Sequence, residues 1–72
     1  MNTRLSDCKI GEKVEVSKIE DGNIAPKLIE MGLTDKLITQ VVLVAPLGDP
    51  IAIDINGFIL SIRKSEASKV LV

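Results

Sequence analysis

Asn56-Gly57 stands between two runs of alternating side chains, and this arrangement constrains the chain more than any other feature. Before it, Ile51, Ile53 and Ile55 alternate with Ala52 and Asp54; after it, Phe58, Leu60 and Ile62 alternate with Ile59, Ser61 and Arg63. A two-residue type I′ turn needs positive φ at both central positions, which Asn-Gly tolerates better than almost any other pair. Residues 51–55 and 58–63 are therefore predicted to pair as an antiparallel hairpin. The same period of two recurs at Val14 and Val16 against Glu15 and Ser17, so the chain is read as a set of half-buried strands. Lys9-Ile10-Gly11-Glu12 opens this first strand with a turn, and Asp21-Gly22-Asn23 closes it.

One segment has helical spacing. Ile24, Leu28 and Met31 fall at i, i+4 and i+7, with Asn23 placed to cap the first turn, Pro26 tolerated near the start and Gly32 suited to the C′ position. The run Leu37 to Ala45 is apolar on both parities apart from Thr39 and Gln40, which marks a strand that is central or carries a second apolar face. On it Ile38, Val42 and Val44 share one parity and Val41 and Leu43 the other. Pro46-Leu47-Gly48-Asp49-Pro50 then imposes a loop. Ser65-Glu66-Ala67-Ser68 reads as a capped single turn and Val70-Leu71-Val72 as a closing strand. The total is about five strands with one helix after the first. Such a set suits a small closed barrel, since closure removes exposed strand edges.

No linker, repeat or low-complexity tract interrupts the 72 residues, so residues 1–72 are predicted to form a single domain. Ten Ile, eight Leu and seven Val supply a dense core for so short a chain. With a net charge of −1 and one aromatic residue, Phe58, the chain lacks the basic and stacking surface that nucleic-acid binding draws on. It has no His and a single Cys, Cys8, so neither an internal disulfide nor a transition-metal site is expected, and Cys8 reads as a small packed residue or an inert thiol. Glu12, Glu15 and Glu20 read as a solvated face. No nucleophile and base pair, phosphate-binding glycine loop or cofactor motif is visible, and the chain is not expected to be an enzyme. No apolar run approaches the length needed to span a bilayer, and Asp7 stands where a secretory leader, read from Met1-Asn2-Thr3-Arg4, would begin its apolar region. A cytoplasmic location without membrane insertion is the expectation.

The order of the pieces resembles the FeoA family, small accessory proteins of bacterial ferrous iron transport. The resemblance is carried by Leu5-Ser6-Asp7 with Gly11, Leu28-Ile29-Glu30-Met31-Gly32-Leu33, Ala45-Pro46-Leu47-Gly48-Asp49-Pro50, Asn56-Gly57-Phe58 with Leu60 and Arg63, and Glu66-Ala67 before Val70-Leu71-Val72. It implies a mainly β fold: a small SH3-like barrel of about five strands with one short inserted α-helix. The chain departs from the family after Gly32-Leu33, where Thr34-Asp35-Lys36 replaces the usual Pro-Gly pair. Lys36 is expected to be strained if that position takes positive φ.

The resemblance implies a non-catalytic partner of the FeoB-type permease, docking on its cytosolic region. From parity and loop position, the contacts are expected from Leu37, Ile38, Val42 and Val44 together with Pro46, Leu47, Asp49 and Pro50. Leu28 and Met31 mark a second candidate, a pocket between helix and barrel analogous to the peptide grooves of SH3-type barrels. A different class stays open: an iron-sensing or regulatory domain, since the barrel also resembles the C-terminal domain of iron-dependent repressors. Weak self-association through an exposed apolar strand is a further open mode.

Overall fold

Asn56 and Gly57 adopt φ of 49° and 98°, the type I′ geometry expected of them. In the computed structural model, which describes residues 3–72, the strands they join are β4 (Ile51–Ile55) and β5 (Phe58–Ile62), paired from Ile55↔Phe58 to Ile51↔Ile62. Met1 and Asn2, the start of the segment read for a leader, lie outside the described residues. The Asp54 carboxylate accepts from the Gly57 amide at 2.9 Å and closes the turn from beneath.

The first expected strand is two strands. β1 (Lys13–Glu15) pairs with β3 (Ile38–Val44), whereas β2 (Lys18–Ile19) pairs with β6 (Val70–Leu71). The switch occurs at Val16-Ser17: Val16 N-H donates to the Leu37 carbonyl, and Ser17 N-H donates to the Leu71 carbonyl. One extended segment thus feeds a four-stranded sheet, ordered β1-β3-β4-β5, and a two-stranded sheet, β2-β6. These hold between them a core of Val16, Val41, Ile51, Ile53, Ile55 and Ile62 with Leu5, Leu28, Leu33 and Val70. Among the described residues the fold is mainly β, with six strands rather than about five and two short α-helices rather than one. The barrel, among the described residues, is not hydrogen-bonded all the way round: β5 ends its sheet, so the closure expected from the strand count is incomplete.

Helix α1 (Ala25–Glu30) begins after Ile24, and Asn23 does not cap it. The Asn23 backbone N-H donates to the Asp21 carboxylate at 2.8 Å in an Asx turn, which places Ile24 rather than Asn23 at the N-cap. Its other end follows expectation. Gly32 has φ of 105°, its N-H donates to the Ile29 carbonyl, and Leu33 N-H donates to the Leu28 carbonyl, a Schellman motif. The chain then passes Lys36, which does take positive φ, 68°, the left-handed conformation that a non-glycine residue resists. Helix α2 (Lys64–Ala67) starts one residue before the turn read at Ser65. Its cap is the Glu66 carboxylate reaching back to the Arg63 amide at 2.9 Å.

Candidate docking surface

β3 is central, and its inward face is not a simple parity set. Thr39 and Val41 point inward and are buried, Thr39 satisfying its hydroxyl by donating to the Asp54 carbonyl at 2.8 Å. The register with β4 then shifts between Val41↔Ile53 and Leu43↔Ala52, leaving Val42 as the extra residue of a β-bulge. The bulge resets the alternation. Val42 and Leu43 are both exposed, at 36% and 57%, and Val44 turns back to pack against the core. The expected grouping of Ile38, Val42 and Val44 on one face is therefore corrected: Ile38 and Val42 face outward, Val44 does not.

The exposed apolar strip consists of Ile38, Val42 and Leu43 along β3, joined on the same sheet face by Ile59 of β5. Beyond the end of β3, Leu47 is 95% exposed at the tip of the loop framed by Pro46 and Pro50. An apolar side chain so fully in water buries nothing in the monomer. Leu43 is absent from the contacts expected from the sequence because no residue in Val41-Val42-Leu43-Val44 signals a bulge.

The second candidate region is a cleft of about 510 Å³ between α1, α2 and the end of β5, bordered by Lys27, Met31, Pro50, Ile62, Arg63 and Glu66. It gathers Met31, Asp49 and Pro50, three of the residues anticipated as contacts. Leu28 is wholly buried, so it belongs to the core and presents nothing to a partner, a correction to its place among the contacts. Leu37 is half-buried and packs against the same core. Asp49 is exposed, yet its carboxylate accepts from the Lys64 amide at 2.9 Å and pins the start of α2, so a partner would compete with that bond.

Electrostatics around these regions is local. Glu66 is held below the usual carboxylate range, first by the Arg63 amide and then by Lys27 Nζ at 3.1 Å. Glu20 is lowered mainly by its bond to the Arg4 guanidinium, which also donates to the Ser68 carbonyl at 2.8 Å. Cys8 is buried with Sγ 3.7 Å from the Arg4 carbonyl oxygen; burial raises its thiol pKa, and Glu12 and Asp7 raise it further. It is a packed, protonated thiol rather than a nucleophile. Among the described residues no three His, Cys, Asp or Glu side chains come together as a metal cluster. No helix among the described residues is long and apolar enough to cross a membrane.

Residues 3–72 match the model of the FeoA domain family. The chain is 31% identical over 70 residues to an Fe(2+) transport protein A/Fe(2+) transporter FeoB fusion protein of Porphyromonas gingivalis; the match covers 96% of this chain and 8% of that protein. Its fold superposes on a FeoA-like protein of Clostridium acetobutylicum with a TM-score of 0.89 at 35% identity, covering 97% of this chain and 83% of that one. Stenotrophomonas maltophilia FeoA, a prokaryotic SH3 domain protein in complex with zinc, gives a TM-score of 0.81 at 25% identity, covering 94% of this chain and 86% of that one. A manganese-dependent transcriptional repressor shares the fold alone, with a TM-score of 0.89 at 17% identity over 36% of its length. With a family model spanning nearly every residue and an SH3-like barrel on the page, the chain belongs to the FeoA family.

Proposed function

We propose that this chain is a non-catalytic accessory protein of bacterial ferrous iron uptake, acting in the cytoplasm by docking on the cytosolic part of a FeoB-type permease and modulating transport. The observation that carries the reading is the strip formed by Ile38, Val42 and Leu43 with Leu47 beyond it, apolar side chains that the bulge and the proline-framed loop hold in water. Isolated exposed leucines need no explanation, but several along one strand and its following loop are the usual mark of a binding surface. The fusion of an A and a B part in the Porphyromonas protein supports the choice of partner, because tethering raises the effective concentration of modules that work in contact.

Docking of this kind rests on desolvating a few aliphatic groups. An interface with so few charges is small and of modest affinity, and substitutions in it act chiefly on dissociation. Ile38→Asp and Leu47→Asp each place a carboxylate in that patch without touching the core. Each is expected to lower ferrous iron uptake control by the full permease system and to weaken binding to the permease's cytosolic domain at least tenfold. Melting temperatures should stay unchanged. Binding that survives both substitutions places the contact elsewhere and refutes this assignment.

A further inference from the structure

β5 ends the four-stranded sheet, and among the described residues no strand pairs with its far side. In a two-residue hairpin the residues flanking the turn exchange both backbone hydrogen bonds, and bonded pairs then alternate with non-bonded ones. Phe58, Leu60 and Ile62 therefore spend their main-chain groups on Ile55, Ile53 and Ile51. The N-H and C=O groups of Ile59 and Ser61 point the other way, and among the described residues no loop, side chain or strand receives them. Native edges of this sort are blunted by lysine, proline, a bulge or a covering segment. Phe58-Ile59-Leu60-Ser61-Ile62 has no charge and no proline, and Phe58 and Ile59 are both more than half exposed.

We propose that β5 pairs antiparallel with β5 of a second copy, about a two-fold axis at Leu60. This register is self-complementary at every level. Ile59 lies opposite Ser61 of the second copy, so outward main-chain groups meet outward main-chain groups, and each of the two such pairs exchanges two hydrogen bonds. Phe58 lies opposite Ile62 of the second copy, which borders the cleft with Met31 and Pro50; a ring 52% exposed in the monomer gains that cleft to fill. Arg63, extended at φ −73° and ψ 149°, shares the outward face with Ile59 and Ser61 and comes opposite Gly57 of the second copy. Asp54 lies one strand further and two residues along, opposite Ile59 in β4, about 12 Å away by strand and residue spacing and within the combined span of extended arginine and aspartate side chains. Neither Arg63 nor Asp54 has an ion-pair partner among the described residues. Each element of the edge thus finds its complement on the same element of another copy, the requirement of an isologous two-fold interface. That symmetry favours a second copy over an unrelated extended peptide. With one strand contributed by each side the interface is small, so the dimer is concentration-dependent. The outer-face residues Ile38, Val42 and Leu43 stay uncovered, and this inference stands or falls independently of permease docking.

The test is sedimentation equilibrium over roughly a hundredfold range of protein concentration, with amide hydrogen exchange on the same samples. The expected result is a monomer–dimer equilibrium in which protection of the Ile59 and Ser61 amides rises with concentration. Ser61→Pro removes an outward donor without costing a bond to β4, and Ile59→Lys sets cations on both sides of the axis. Each should weaken association at least tenfold while circular dichroism reports an unchanged fold. Arg63→Asp and Asp54→Arg should each weaken it, and the double exchange should restore it, a rescue that a purely structural role does not produce. A protein monomeric across the whole range overturns the proposal. So does a dimer that Ile59→Lys leaves unchanged and the charge exchange does not rescue.

Discussion

Replacing Gly32 by alanine should cost far more than the same change at Gly57, and the difference measures how tightly α1 is locked against the β4–β5 hairpin. Both glycines hold φ near +100°, so both alanine variants pay the conformational penalty of an L-residue in that region, about 1–2 kcal/mol. Nothing lies within 4 Å of a Cβ built on Gly57. A Cβ on Gly32 would stand 3.2 Å from Ile55 Cγ2 and 3.7 Å from Phe58 Cζ. Ile55 is buried and its β-branched side chain has little rotamer freedom, so it yields poorly and overpacking adds about 1–3 kcal/mol. The sum for Gly32→Ala, about 2–5 kcal/mol, compares with a total stability of about 4–11 kcal/mol for a chain of this length. Each kcal/mol lowers Tm by about 4–8 °C in so small a domain. Urea unfolding followed by far-UV circular dichroism is the assay, since the chain has no tryptophan or tyrosine to report by fluorescence. If Gly32→Ala is no less stable than Gly57→Ala, the Gly32–Ile55 contact does not constrain the fold and the reasoning fails.

Lys36→Gly should raise the urea midpoint, by about 0.5–1 kcal/mol of stability, because glycine relieves the φ of 68° at the cost of some unfolded-state entropy; a lower midpoint contradicts the strain. Leu28→Ala should lose about 2–5 kcal/mol by leaving a cavity under α1, whereas Leu47→Ala should change stability by less than about 0.5 kcal/mol, both read from urea curves. The Glu66 carboxyl titrates below its ordinary 4.5 in the folded state, so its contribution is present above that pH and is lost as pH falls toward the folded value. The stability gap between the wild type and Glu66→Gln should accordingly be widest above pH 4.5 and close below it; a gap independent of pH refutes the assignment.

The hairpin was legible because Asn56-Gly57 and the flanking alternation agree, and the end of α1 because Gly32 stands where a left-handed residue is needed. The strain at Lys36 was anticipated because Thr34-Asp35-Lys36 stands where the family carries a Pro-Gly pair. What escaped the sequence is physical rather than accidental. Val14 and Val16 alternate up to the point where the chain passes from one sheet to the other, and beyond it Ile19 rather than Lys18 packs inward, so a single period-two reading runs past the switch without marking it. Val42 and Leu43 both face water because a bulge interrupts a run in which every residue is aliphatic, so composition holds no trace of it. Asn23 does not cap α1 because the turn from Asp21 carries the chain one residue further before the helix begins, which leaves Ile24 at the N-cap position. Leu28 and Met31 have the same helical spacing, yet only Met31 reaches the cleft, because α1 is short and its buried face is one residue wide. Of the docking candidates, Ile38, Val42, Pro46, Leu47, Asp49 and Pro50 lie exposed, while Leu37 and Val44 are partly spent on the core.

The central claim is tested most directly by titrating isotope-labelled protein with the cytosolic domain of a FeoB-type permease and following amide shifts, with ferrous iron alone as a parallel titrant. The account predicts shifts clustered at residues 38–47 and Ile59 with the partner and none with iron. No response to saturating partner, with saturable shifts around Cys8 and its neighbouring carboxylates on adding iron, would contradict it and favour a sensing domain.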